Sequence, residues 1–324
     1  MVKTGLSELI DPTLALPLSD WLDRVEDIAL EFGDFEPLGP THSAALIEDG
    51  PNLLVTFENI HDIRAQATTD VPLGWILSQH RGWSQLCMMS NQQSWFRHRA
   101  IYEYFDRLVD DGFFDRYERI VFYGAGACGY AAAAFSVAAP GSTLLLTCPQ
   151  ATQDPAAASW DNRFPTARRM DFTSRYGYAP DMAQAAARVF VLYDPDEPYD
   201  AMHAALFSGD HVVRIRCRRM GPQIEPFLRR MNLLEGLVLL AMRDRISAPI
   251  IYKALRERRS YLPYLRRLLA AVEGRNRPYL TGLLCRSVLT RTNAPRFGRQ
   301  LAQAELELAR AGKSLPAPGV AALA

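Results

Sequence analysis

No run of about 18 uncharged apolar residues occurs in this chain, so no membrane-spanning helix is expected. Cysteine is scarce and scattered: Cys87, Cys128, Cys148, Cys217 and Cys285 form no CxxC pair. An odd, widely spaced set points to neither a disulfide framework nor a zinc site, and it fits a reducing cytoplasm. Lysine is nearly missing, at 3 residues against 33 arginines, a bias that carries no phosphate-binding argument. The opening MVKTGLSELIDPTLALPLSDW lacks the apolar run and small-residue cleavage site of a secretory signal. No fixed-period repeat is visible, which excludes a solenoid, and no specific nucleic-acid motif stands out.

What is present is globular. The 324 residues are 48% hydrophobic and 22% charged, enough chain to bury a sizeable core and too apolar for a disordered tail. Formal neutrality, 36 basic against 36 acidic residues, conceals an asymmetry. Residues 1–213 hold 14 basic and 29 acidic residues, and residues 214–324 hold 22 and 7. The basic third suits an acidic protein partner, nucleic acid or an anionic surface, or else the acidic two-thirds of its own chain.

Periodicity divides the chain into a helical lead (1–39), an α/β domain (40–222) and a helical C-terminal region (223–324) with a loose tail, SLPAPGVAALA. Trp21, Leu22, Val25, Ile28, Ala29 and Phe32 recur at helical spacing over 19–32, with Ser19 as N-cap. The turn-rich GDFEPLGPTH follows. Strands are expected at 43–49, 52–59, 84–90, 119–123, after Pro140-Gly141, and at 188–195 and 211–218, with helices at 95–111, after 126 and near 198–207. Strands alternating with helices predict an α/β fold with a mostly parallel sheet.

The informative stretch is ERIVFYGAGACGYAAAAFSVAAPGSTLLLTCP (118–149). Gly124, Gly126 and Gly129 match G-x-G-x-x-G between a strand and a helix, where bare backbone can approach a pyrophosphate. That pattern belongs on the first strand of its domain, with an acid about 20 residues on. Here several strands precede it, and the next strand ends in Thr147, Cys148 and Pro149.

The same residues also fit a nucleophile elbow, a sharp strand-to-helix turn flanked by small residues. FYGAGACGYAA (122–132) resembles the FYGAS-M-GGYAA elbow of a bacterial α/β-hydrolase-like family associated with surface-polysaccharide and accessory-secretion functions. LYDPDEPYDAMHAALF (192–207) is similar to that family's YDP…D…H segment, which carries the triad acid. MGPQIEPFL (220–228) lies where the family shows G-H-x-V. The resemblance covers about residues 40–230. It implies an α/β-hydrolase-like sheet, with the serine position at Gly126, the acid at Asp194 and the histidine at Pro222. A Ser-His-Asp triad needs all three groups, so the resemblance implies a fold that has lost its usual chemistry. A non-catalytic binding or scaffold role without a cofactor follows as the expectation.

Other candidates at this stage are few. Cys128, on the first helical turn, is a nucleophile if the helix N-terminus lowers its thiol pKa, and otherwise a small core residue. His203 reads as a surface or capping residue. Glu58 and Asn59 would line the C-terminal sheet edge. The whole chain, including WLDRVEDIALEFGDFEPLGP, also resembles an alphaproteobacterial group commonly named phosphoadenosine phosphosulfate reductase. The SGGKDS-like loop and C-terminal ECG-like cysteine of that chemistry are missing, and Cys285 has no partner cysteine nearby.

Overall fold

The computed structural model describes residues 16–65, 70–78 and 81–317. The opening residues 1–15, read as lacking a secretory signal, and the end of the loose tail (318–324) fall outside them. The chain forms two compact units, Met1–Tyr252 and Lys253–Ala324. The helices that follow the last strand up to Tyr252 therefore share a unit with the sheet, whereas the sequence places its boundary at 222/223.

The first unit is built on eight strands: β1 (Gly33–Pro37), β2 (His42–Ile47), β3 (Asn52–Asn59), β4 (Ser84–Ser90), β5 (Arg119–Ala125), β6 (Thr143–Thr147), β7 (Arg188–Tyr193) and β8 (Val212–Arg216). Their order is β1-β2-β4-β3-β5-β6-β7-β8. Strand β2 runs antiparallel to both of its neighbours, and every pair from β4 to β8 is parallel. This mostly parallel sheet with flanking helices is α/β-hydrolase-like, as the resemblance implies.

Helices α1 (Leu18–Phe32), α2 (Ile60–Arg64), α3 (Leu73–Ser78), α4 (Arg99–Asp110), α5 (Gly126–Phe135), α6 (Pro155–Ala158), α7 (Ala179–Met182), α8 (Pro198–Leu206), α9 (Ile224–Arg230), α10 (Leu234–Met242) and α11 (Ala248–Ala254) follow in chain order. Alternation along the strands builds two cores. Leu86 and Met88 join one with Phe57, Phe105, Phe122 and Phe135; Cys87 and Met89 join the other with Trp21, Val25 and Trp75. In α1, Trp21, Val25, Ile28 and Ala29 are buried at helical spacing. Burying a large apolar side chain of this kind contributes about 1.5–3 kcal/mol.

Two local expectations need correction. Pro17, not Ser19, stands at the N-cap of α1; Ser19 lies inside the first turn and its hydroxyl donates to Asp20 at 2.8 Å. GDFEPLGPTH is not all turn, because Gly33–Pro37 forms the edge strand β1, with Phe35 opposite Ala45.

Helix α5 is buried from Gly129 to Phe135. Four consecutive alanines, Ala131–Ala134, let it lie close to the sheet, and Tyr130 Oη donates to the carbonyls of Tyr176 and Gly177 at 3.0 and 2.8 Å.

In the second unit, α12 (Leu262–Glu273), α13 (Pro278–Leu289) and α14 (Pro295–Arg310) bury Leu265, Leu269, Cys285, Val288, Phe297 and Leu308. Arg286 in α13 pairs with Glu305 in α14 at 3.2 Å. Among the described residues no helix is long and apolar enough to cross a membrane.

Candidate functional site

The strand order fixes where a site belongs. After β3 the chain crosses to β4 on one side, then returns past β3 to β5 on the other. In open α/β sheets ligands bind at the strand C-termini where the order reverses. Here that place lies between β3 and β5, which pair in parallel with Thr56 opposite Tyr123. A cavity of about 840 Å³ opens there, lined by Glu58 and Asn59 from β3, Tyr123 and Ala125 from β5, and Gly126 and Cys128 from α5. Thr147 at the end of β6 and Cys148 after it, Asp62 from α2, and Pro222, Glu225, Arg229 and Arg230 around α9 complete the wall. The early-strand pair Glu58 and Asn59 thus stands where the topology predicts.

The glycines differ in what they permit. A Cβ at Gly124 would meet the Cys128 carbonyl oxygen at 2.3 Å, so the end of β5 and the start of α5 are too close for any side chain. Gly129 is tighter than ordinary contact, 3.2 Å from both the Gly124 oxygen and Pro149. Gly126 has φ +57, and a Cβ there would meet nothing within 4 Å. It occupies a left-handed position on a sharp strand-to-helix turn, facing the cavity. The sterics are those of an elbow, with open space where a nucleophile would project.

Asp194, directly after β7, is 1% exposed. Its Oδ2 accepts the Gly221 amide at 2.7 Å and its Oδ1 the Asp196 amide at 3.0 Å. The acid therefore anchors the loop carrying Pro222 through backbone N–H groups. Pro222 is exposed on the cavity wall and has no proton to exchange.

Cys128 is partly enclosed, and burial together with the charges of Asp62, Glu225 and Glu58 pushes its thiol well above the ordinary range. That direction is opposite to the one a helix N-terminus favours, so the thiolate required of a nucleophile is suppressed.

Sequence reasoning placed Glu58 at this edge and missed Asp62 and Glu225 beside it. Glu58 is buried, its Oε2 accepting the Leu73 amide at 2.6 Å and its Oε1 the Gly74 amide at 2.9 Å and the Thr56 hydroxyl at 2.7 Å. Burial raises the pKa of Glu225, against the pull of Arg229 at 3.7 Å, and Glu58 and Asp62 add to the rise. Burial likewise raises Asp62, against His61. Tyr123 is 1% exposed, its Oη lies beside Thr147 and Glu225, and burial with the Glu225 charge pushes its hydroxyl well above the ordinary range.

His203 is not a surface or capping residue. It is fully buried, with Nε2 2.9 Å from Asp161 Oδ2 and Nδ1 accepting the Ala151 amide at 3.1 Å. Because Nδ1 accepts a backbone N–H, Nε2 carries the proton and donates to Asp161. Arg163 bridges Asp161 at 2.9 Å and Asp200 at 2.6 Å. Desolvation works to raise Asp161, but hydrogen bonds from His203 and Arg163 win and hold it well below the carboxylate range. Among the described residues no group of three His, Cys, Asp or Glu side chains is arranged to hold a metal ion.

The sequence matches no family model and no curated protein. Solved structures similar to this chain include a thermostable carboxylesterase cloned from a metagenomic library, at 15% identity. That match covers 72% of this chain and 99% of the esterase, with a TM-score of 0.40. An esterase of Pyrobaculum calidifontis is 12% identical over 75% of this chain and 97% of its own, with a TM-score of 0.44. A capsule O-acetyltransferase of Neisseria meningitidis serogroup A is 9% identical over 62% and 96%, with a TM-score of 0.39. At these identities and scores none informs the chemistry of this chain, and the fold assignment rests on the strand order.

Proposed function

We propose that this α/β-hydrolase-like protein binds a small ligand in the cavity above its elbow and does not carry out acyl transfer. The observation that supports this most directly is Gly126. It sits at the left-handed position of the turn, with room for a side chain and none present. An acyl-enzyme needs a nucleophile and a base. At those positions stand Gly126 and Pro222, and the remaining acid, Asp194, is occupied by two backbone amides. The Ala127 amide and its neighbours at the start of α5 retain a polar surface for an oxygen atom of a ligand.

The basic helical region 223–324 belongs to the same reading as the contact for an acidic protein partner. Its support is the charge imbalance over 214–324. The dinucleotide and sulfur-reductase alternatives gain no support. The glycine turn follows the fifth strand of a sheet whose order differs from the 3-2-1-4-5-6 doubly wound pattern, and β6 ends without a carboxylate.

The test uses the purified chain with a 4-nitrophenyl ester and a fluorophosphonate probe. The expected result is ester turnover no faster than that given by the unfolded chain, with no stoichiometric label. Saturable turnover or a single labelled residue in the cavity wall would overturn the reading.

A further inference from the structure

Within the second unit, Lys253–Ala324, 14 basic residues stand against 4 acidic ones. Two of those four are already paired, Glu273 with Arg296 at 3.9 Å and Glu305 with Arg286 at 3.2 Å. Surplus cations gather at both ends of the α12–α13 hairpin. Before α12, Arg256 and Arg259 lie three residues apart on the 3-10 turn Leu255–Arg259, which puts them on one face. Arg291, just beyond α13, donates to the Arg259 carbonyl at 3.0 Å, so the end of the hairpin returns to its start. At the turn between α12 and α13 stand Arg275 and Arg277, next to Tyr279 and Leu280, which are 43% and 46% exposed. All five arginines are exposed. Like charges held together in this way repel one another until anions face them.

Helix α1 carries the complement. Asp20, Asp23, Asp27 and Glu31 are exposed and recur at i, i+3, i+7 and i+11, a stripe opposite the buried Trp21, Val25 and Ile28. Arg24 is the only basic residue of the helix, and Leu30, 55% exposed, stands beside Glu31. The rise from Asp20 to Glu31 is about 17 Å, and α12 is about 18 Å long.

We propose that the α12–α13 hairpin seats helix α1 of a second copy of this chain. Asp20 and Asp23 meet Arg256, Arg259 and Arg291, and Leu30 and Glu31 meet the end formed by Arg275, Arg277, Tyr279 and Leu280. The proposal rests on the reading of region 223–324 as the contact for an acidic protein partner, and it names that partner. The two faces match in sign and in span. A purely anionic partner would answer the arginines and leave the exposed Tyr279 and Leu280 uncovered, whereas Leu30 supplies an apolar group beside a carboxylate. Every copy carries both faces, so the contact is heterologous, and mass grows with concentration until a symmetry axis closes the assembly. Fields between exposed charges fall off within about 10 Å at 0.1 M salt, so the contact weakens as salt rises.

The experiment is sedimentation velocity of the full chain over a concentration series, at about 0.05 M and about 0.5 M salt. Wild type is expected to associate at low salt and at least tenfold more weakly at high salt. The variants D20R/D23R/D27R and R256E/R259E/R275E/R277E change exposed side chains and should melt near wild type. Each alone is expected to stay monomeric, and an equimolar mixture of the two should associate again, because the reversed faces attract. Wild type that is monomeric at every concentration, or association that survives in both variants, would overturn the proposal. If either variant melts early, the salt series on wild type decides. Titration with polyglutamate separates the two readings. A monomeric wild type that binds it, with R256E/R259E/R275E/R277E binding at least tenfold more weakly, sinks self-association and leaves the acidic-partner reading standing. Neither association nor polyglutamate binding would sink both.

Discussion

The Gly221 amide donates to Asp194 Oδ2 at 2.7 Å, so this buried acid holds backbone, where the proposed triad position would have it hold an imidazole. D194A removes the acceptor for the Gly221 and Asp196 amides at a position 1% exposed. Hydrogen bonds to a charged group contribute about 1.5–3 kcal/mol each, and their losses overlap, so D194A should cost about 2–4 kcal/mol. Urea denaturation measures it; a loss under 0.5 kcal/mol would contradict the anchoring role.

The elbow glycines should separate by mutation. G124A drives a Cβ into the Cys128 carbonyl, and the strand–helix junction has to move, at a cost of about 3 kcal/mol. G126A meets open space and carries only the left-handed backbone penalty, about 1–2 kcal/mol. The order of the two midpoints is the readout, and a G126A variant less stable than G124A would sink the sterics described for the turn.

The buried pair His203 and Asp161 predicts an acid-side signature. Asp161 has a folded pKa below its unfolded value, so its stabilisation is present above the unfolded carboxylate range. It is lost as pH falls below about 4. D161A leaves Arg163 and the His203 N–H without their buried partner and should cost about 3–5 kcal/mol at neutral pH. In D161N the fall in stability between pH 5 and pH 2 should be shallower than in wild type. Parallel curves would show that Asp161 carries no such linkage.

Cys128 should behave as a suppressed thiol. Its pKa is pushed up by burial and by Asp62, Glu225 and Glu58, so iodoacetamide should label it slowly at pH 7.5 and faster as pH rises past 9. Peptide mapping by mass spectrometry follows the site, with C128S as the blank. Rapid labelling with a plateau below pH 7 would restore the nucleophile reading.

How much of this was legible in the sequence varies by element. The parallel strands β3 and β5 to β7 stand out because they are short apolar runs bounded by turns. Strand β1 does not, since its five residues include Gly33 and Pro37 and expose one or both faces, as an edge strand does. The sharp turn between β5 and α5 was legible through Gly124 and Gly126, whereas Asp194 was singled out only by the resemblance of LYDPDEPYDAMHAALF. The wall of the cavity was legible only at Glu58 and Asn59, through their place at the end of an early strand. Tyr123 and Glu225 come from other segments, and only the parallel pairing of β3 with β5 and the return of α9 bring them to Glu58. His203 reads as an ordinary helix residue because its partner, Asp161, lies 42 residues upstream, a separation that local spacing cannot report.

The central claim is that Gly126 occupies an intact elbow from which only the reacting groups are missing. The direct measurement is fluorophosphonate labelling of the double variant Gly126→Ser with Pro222→His, compared with Pro222→His alone, after both are shown to melt within a few degrees of wild type. The account predicts a stoichiometric label at position 126 in the double variant and none in the single one. A folded double variant that takes no label would contradict it.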